Sequence, residues 1–234
     1  MYIRPLTFLS TMTFAFLMLV SVAASASVVI TGTRVIYPSD SREVSVKLSN
    51  VGKSPVLIQS WIDTGDIDAT PEKIDVPFTI TPPINRVDPD KGQTLRIGAL
   101  PAELPSDQES LFWLNVLEIP AIKQQSVTTE NYLKMAFRTR IKMFYRPKGL
   151  PESPAQAADS LIWKASGAEV RVENPSPYFV SLVTATANGT TVEADMIAPK
   201  STITLKLRAA PGAKIDASYV NDFGAIVPLS AVLK

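Results

Sequence analysis

The chain has 234 residues, with 23 lysines and arginines against 22 aspartates and glutamates. That near balance argues against a nucleic-acid binder, which carries a basic excess. Neither histidine nor cysteine occurs, so a Ser-His-Asp triad, a thiol nucleophile, an ordinary zinc site and a disulfide framework are all excluded.

Residues 1–26 read as a secretory signal peptide. Arg4 is their only charge, Leu6 to Ala24 carry none, and the small triplet Ala24-Ser25-Ala26 closes the stretch, the order of a removable leader. The rival is a retained membrane anchor, because the uncharged run nearly reaches the ~20 residues that span a bilayer. Its several Ser and Thr residues and the terminal triplet favour removal. Cleavage after Ala26 starts the mature chain at Ser27 with 22 cations against 22 anions. No later stretch is apolar enough to span a membrane, so an exported, soluble protein is expected, held together by core burial alone.

From Ser27 onward the pattern is β. Short apolar segments alternate with Pro, Gly, Asn, Asp and Ser clusters, as in β-sandwiches. Glu43–Asn50 alternates cleanly, with Val44, Val46 and Leu48 on one face and Ser45 and Lys47 on the other. Val56–Ile62, Thr94–Leu100 and Phe112–Ile119 follow in the same style. Nineteen prolines oppose long helices. A proline-rich stretch from Arg146 to Pro154 predicts a stiff connection without secondary structure. The expected division is 27–147, a linker at 148–154, and 155–234. The second half resumes with strands at Leu161–Ala165, Ala168–Asn174, Phe179–Ala187, Thr190–Ile197, Ser201–Leu207, Lys214–Val220 and Ala225–Leu229. Asn188-Gly189 reads as a type I′ hairpin turn.

One strand is unlike the rest. Leu133–Phe144 has neither Gly nor Pro and would extend about 40 Å. Leu133, Met135, Phe137, Thr139, Ile141 and Met143 face one way. Lys134, Ala136, Arg138, Arg140, Lys142 and Phe144 face the other, giving four cations and no anion. One reading is an ordinary sandwich strand with a solvated basic face. The other is an edge strand, guarded by its cations and offering Leu133, Met135 and Phe137 to a partner that lacks a strand. The polar stretch Pro120–Tyr132 before it reads as a loop that orders on binding.

Phe144-Tyr145-Arg146-Pro147, preceded by Arg140-Ile141-Lys142-Met143, resembles the end of the donor strand in PapD-like chaperones of the chaperone/usher pathway. Ser110–Val116 with Glu118-Ile119-Pro120 resembles that family's sixth strand, Thr81-Pro82-Pro83 its Thr-Pro-Pro element, and Thr33–Tyr37 its first strand. In the second half, Glu173–Tyr178 and Val220–Gly224 are similar to paired family motifs. The likeness runs through nearly the whole mature chain in one order.

The resemblance implies an all-β protein of two immunoglobulin-like β-sandwich domains, joined at an angle with a cleft between them. It implies a periplasmic chaperone that complements incomplete pilin subunits by β-augmentation and delivers them to an outer-membrane usher. By the same likeness, Arg34 and Lys142 anchor the subunit's C-terminal carboxylate, a task suited to charge-assisted donors. Leu133, Met135 and Phe137 form the donor row, worth roughly 5–8 kcal/mol of burial before ordering costs. Glu109, Arg146 and Asp222 form an interdomain ionic network. No enzyme activity, cofactor, metal, nucleic acid or membrane insertion after signal removal is expected; self-association of the free protein is left open by its exposed edge. The moderate span between Pro120 and Leu133 and the lack of Cys resemble the family's short-loop class. Phe137 is bulkier than the aliphatic residue usual at its position. The rivals are a pilus subunit, which would carry an N-terminal donor extension and usually a Cys pair, and a secreted enzyme or carbohydrate-binding sandwich, for which no carboxylates are gathered.

Overall fold

The computed structural model describes residues 27–120 and 135–234. The expected signal peptide, the polar stretch after Pro120, and Leu133 at the head of the donor row lie outside the described residues. No helix among the described residues is long and apolar enough to cross a membrane.

Among the described residues, nine strands build the first domain: β1 (Val28–Ile30), β2 (Arg34–Pro38), β3 (Glu43–Asn50), β4 (Val56–Asp63), β5 (Phe78–Thr81), β6 (Ile84–Val87), β7 (Gly92–Ala99), β8 (Ser110–Pro120) and β9 (Phe137–Arg146). They form two sheets, ordered β1-β3-β7-β5 and β2-β9-β8-β4-β6. Alternation drives the layering, since period-2 side chains put one face of each strand inward. Val46 and Leu48, Leu95 and Ile97, Ile58 and Ile62, and Phe112, Leu114 and Val116 fill the space between the sheets, with Tyr37 and Met143 fully buried among them. The Tyr37 hydroxyl donates toward the Ser41 and Arg42 carbonyls and accepts from the Ala99 amide, so its polar end is satisfied inside the core. Thr81-Pro82 is cis.

The second domain contains a short helix, α1 (Pro154–Asp159), then β10 (Ile162–Ser166), β11 (Glu169–Glu173), β12 (Val180–Ala187), β13 (Thr190–Glu193), β14 (Met196–Ile197), β15 (Thr202–Leu205), β16 (Lys214–Val220) and β17 (Ile226–Val232). Its sheets run β10-β11-β15 and β13-β12-β16-β17, with β14 also paired to β12. Trp163, Ile197, Leu207, Ile215 and Leu233 are the largest fully buried side chains of its separate core. Asn188 and Gly189 both have positive φ, at 51° and 77°, the conformation a type I′ turn demands.

Three expectations are corrected. The segment Thr190–Ile197 is two strands rather than one, broken after Glu193. The proline-rich connection ends in α1, where Ser153 caps the helix by accepting from the Gln156 amide and Ala157 and Ala158 are buried. Pro154 at the first helical position loses no hydrogen bond, because that amide has no intrahelical acceptor. The strand expected at Leu133–Phe144 is Phe137–Arg146. Its partner explains the start: Glu118 of β8 pairs with Phe137, and β8 goes on past Glu118 only toward β4. Met135 therefore precedes the ladder, 45% exposed.

Candidate functional site

β9 has two different neighbours along one side. Over Lys142–Arg146 it is covered by β2 in parallel register, from Arg34↔Lys142 to Pro38↔Arg146. Over Phe137–Ile141 its only strand partner among the described residues is β8, on its other side. Among the described residues β9 is thus an interior strand in its second half and an edge strand in its first. Along that free half the inward row runs out of the core: Met143 and Ile141 are buried, Phe137 is partly exposed, and Met135 is exposed.

The opposite face of β9 points away from the first core. Arg140 is not a free cation there. Its guanidinium forms an ion pair with Asp63 at the end of β4, whose side chain is 2% exposed, and lies 4.5 Å from the centre of the Trp113 ring. Asp63 also accepts from Asn115 Nδ2 at 2.7 Å and from the Gly65 amide at 2.7 Å. A buried carboxylate needs several donors of this kind. The face whose own residues give four cations and no anion is therefore supplied with one from β4, on the far side of β8.

Two residues along, Lys142 sits 5.7 Å from the same Trp113 ring. Burial first, and then the Arg34 charge, hold its pKa below the usual lysine value, while Asp195 pulls it back up. Arg34 stands beside it across the β2–β9 ladder. Its Nη1 donates 2.9 Å to the Val220 carbonyl and 3.4 Å to the Ser181 hydroxyl, both in the second domain. Its pKa is also lowered, by burial, against the opposing pull of Asp222 and Glu109, and its Nε is buried without a hydrogen-bond partner among the described residues. Neither cation forms an ion pair among the described residues. Two adjacent, partly desolvated cations make a site that an anion would complete.

Beyond them β9 reaches the second domain. Phe144, 3% exposed although it lies on the outer face, packs against Phe179 at 5.6 Å. Arg146 lies between two carboxylates: its Nε donates 2.6 Å to Glu109, and its Nη1 and Nη2 donate 2.7 and 3.0 Å to the two Asp222 oxygens. The second Glu109 oxygen accepts from the Phe179 amide at 2.8 Å. Burial raises the Glu109 pKa, with Arg146 as the main opposing influence. The turn bearing Asp222 comes so close to the first domain that a Cβ on Gly224 would lie 2.5 Å from the Thr33 hydroxyl. Glycine is required there both for that approach and for its φ of +83°.

The structure therefore brings Arg34 together with Lys142, and Glu109 with Arg146 and Asp222. Met135 and Phe137 lie on the free half of β9; Leu133 is not among the described residues. Sequence reasoning missed Asp63, Asn115 and Trp113. The only hint was a charge at the end of the apolar run Val56–Ile62. No cluster of metal-binding side chains occurs among the described residues.

Residues 27–151 match the family model described as "Pili and flagellar-assembly chaperone, PapD N-terminal domain". Residues 156–231 match "Pili assembly chaperone PapD, C-terminal domain". The chain is 44% identical over 227 residues to "Probable fimbrial chaperone YadV" of Escherichia coli K12, covering 91% of this chain and 92% of that protein. It superposes on a crystal structure of a YadV chaperone with a TM-score of 0.76 at 42% identity, covering 89% of this chain and 100% of the other. The structure of the Salmonella enterica SafA pilin in complex with the SafB chaperone gives a TM-score of 0.78 at 26% identity, over 90% of this chain and 98% of that one.

Proposed function

The chain belongs to the PapD-like family of pilus-assembly chaperones, and from that premise we propose that it binds incomplete pilin subunits in the periplasm by lending them β9. Its relatives are named as chaperones and the family is non-enzymatic. Export follows from removal of residues 1–26 after Ala26, and an outer-membrane usher receives the loaded subunit.

The observation that carries this reading is the junction at Lys142, where the free half of β9 meets the cation pair. An extended segment running in the direction of β2 and stopping just short of Arg34 would continue the parallel ladder over Phe137–Ile141. Its terminal carboxylate would then arrive between Arg34 and Lys142, whose desolvation has already been met in the free protein. The carboxylate fixes register, and register decides whether Met135 and Phe137 point into the subunit, since a slip of one residue reverses every side chain. Leu133 extends the same row. Glu109, Arg146 and Asp222 hold the second domain so that Ser181 and Val220 stay against Arg34.

Co-expression with a pilin and purification from the periplasm tests this. A one-to-one complex is expected, lost in Lys142→Ala while the circular dichroism of the variant stays that of the parent. A parent protein that elutes alone with every pilin supplied overturns the reading.

A further inference from the structure

Glu118 is a carboxylate on the core face of β8, in line with Phe112, Leu114 and Val116, and it is 6% exposed. It pairs with no cation among the described residues. Among these residues, the groups that donate to it are those of Ser27 and Val28. The Ser27 nitrogen lies 3.0 Å from one Glu118 oxygen and 3.3 Å from the other. The Ser27 hydroxyl donates to the second oxygen, and the Val28 amide donates 3.0 Å to the first.

The surroundings are shaped to hold residue 27 there. Its carbonyl accepts from the Val51 amide at 2.8 Å, and Val28 enters the β1–β3 ladder opposite Asn50. A Cβ on Gly52 would fall 2.4 Å from the Ser27 Cβ, so that position admits Ser27 only as glycine. A carboxylate this deeply buried costs more when served by neutral donors than when it also faces a cation.

We propose that the Glu118 pocket is the receptor for the α-ammonium of Ser27, so that removal of residues 1–26 supplies the cation this carboxylate lacks. The inference rests on the export reading above. Hydrolysis of the Ala26–Ser27 amide adds one water: the acyl carbon of Ala26 takes the hydroxide and the Ser27 nitrogen the proton, after which the new Ala26 carboxylic acid releases its proton and the amine takes one up, leaving a carboxylate and an ammonium at neutral pH. That ammonium stands within hydrogen-bond reach of both Glu118 oxygens without any rearrangement. Before cleavage the same nitrogen is an amide with a single N–H, so the precursor lacks the ion pair and the sandwich is fully stable only once the leader is gone.

The test has two parts. N-terminal sequencing of the protein recovered from the periplasm should give Ser27 as first residue. Two chains released from a removable fusion, one beginning at Ser27 and one retaining Ala26, are then melted with Glu118 or Glu118→Gln. The chain beginning at Ser27 should melt about 4–8 °C higher than the longer chain, and Glu118→Gln should erase the difference. Should Glu118→Gln fail to fold, the NMR titration of the Ser27 α-amine in the parent decides. A pKa above the ordinary α-amino value of about 8 supports the pair, and an ordinary value overturns it. A first residue other than Ser27 overturns the processing assignment and the inference with it. Ser27 as first residue with equal melting of both chains overturns the inference alone.

Discussion

Arg34 and Lys142 face each other at the first rung of the only parallel strand pairing among the described residues. Like charges opposed across a ladder repel, and both pKa values are held down by burial. The free protein thus tolerates an arrangement that an incoming carboxylate would relieve.

Replacing the carboxylate tests that relief directly. A peptide copying a pilin's last strand should bind about 10–100-fold more weakly as its C-terminal amide than as the free acid, the range for a hydrogen bond to a charged group. In Lys142→Ala the two forms should differ much less. Titration calorimetry measures all four affinities, and an amide that binds the parent as well as the acid does would rule out the anchor.

The sign of the pH dependence follows from Lys142. Its pKa in the free protein lies below the usual 10.5, chiefly through burial, and a bound carboxylate would raise it. Binding stabilised by the charged form is complete below the free-state pKa and is lost as pH rises through the bound-state pKa. Affinity for the acid peptide should therefore begin to fall at a pH under 10.5, and Lys142→Ala should flatten the profile.

Folding carries the opposite sign. A lysine whose pKa is lowered in the folded state binds fewer protons there than in the unfolded chain, so it lowers stability at every pH below its unfolded value. Lys142→Met should raise the melting temperature at pH 7 by about 1–3 °C, discounted for its partial exposure. A lower melting temperature would mean that the charge stabilises the free fold.

The interdomain carboxylates should be unequal. Arg146→Ala leaves Glu109 buried at 2% side-chain exposure, whereas Asp222→Ala removes a partner that is 29% exposed. Stranding the deeper charge should cost about 3 kcal/mol and losing the outer one about 1 kcal/mol. Urea denaturation ranks them; equal costs would show that Glu109 finds another donor.

Met135→Asp and Phe137→Asp should lower the yield of subunit complex severely. The first should barely affect thermal stability, since Met135 is already exposed. Complex recovered at parental yield from both variants would remove the free half of β9 from the binding surface.

The strands that sequence locates best are those whose alternation is clean between turn residues: Glu43–Asn50 and Lys214–Val220 begin and end as expected. Asn188-Gly189 was legible for the same local reason. The limits of β9 were not, because they are set by partners: Glu118 fixes where the ladder starts and Arg34 fixes where the edge closes. The pair Asp63 and Arg140 is 77 residues apart in the chain, and no local pattern announces it. α1 was hidden because proline normally speaks against a helix, whereas Pro154 occupies the one position that welcomes it. Arg34, Glu109 and Asp222 stood out only through family likeness; their spacing carries no signal.

Ten residues of β9 hold the free edge, the cation beside Arg34, and the arginine clasped by Glu109 and Asp222. A substitution at any one position touches one of these at a time. A deletion of a single residue between Ile141 and Arg146 would reverse the facing of everything on one side of it, turning Met143 out of the core or Arg146 away from its carboxylates. β9 is therefore a segment whose composition is open to variation and whose length is not. Among descendants of this chain, insertions and deletions should collect in the turns and be missing from Phe137–Arg146.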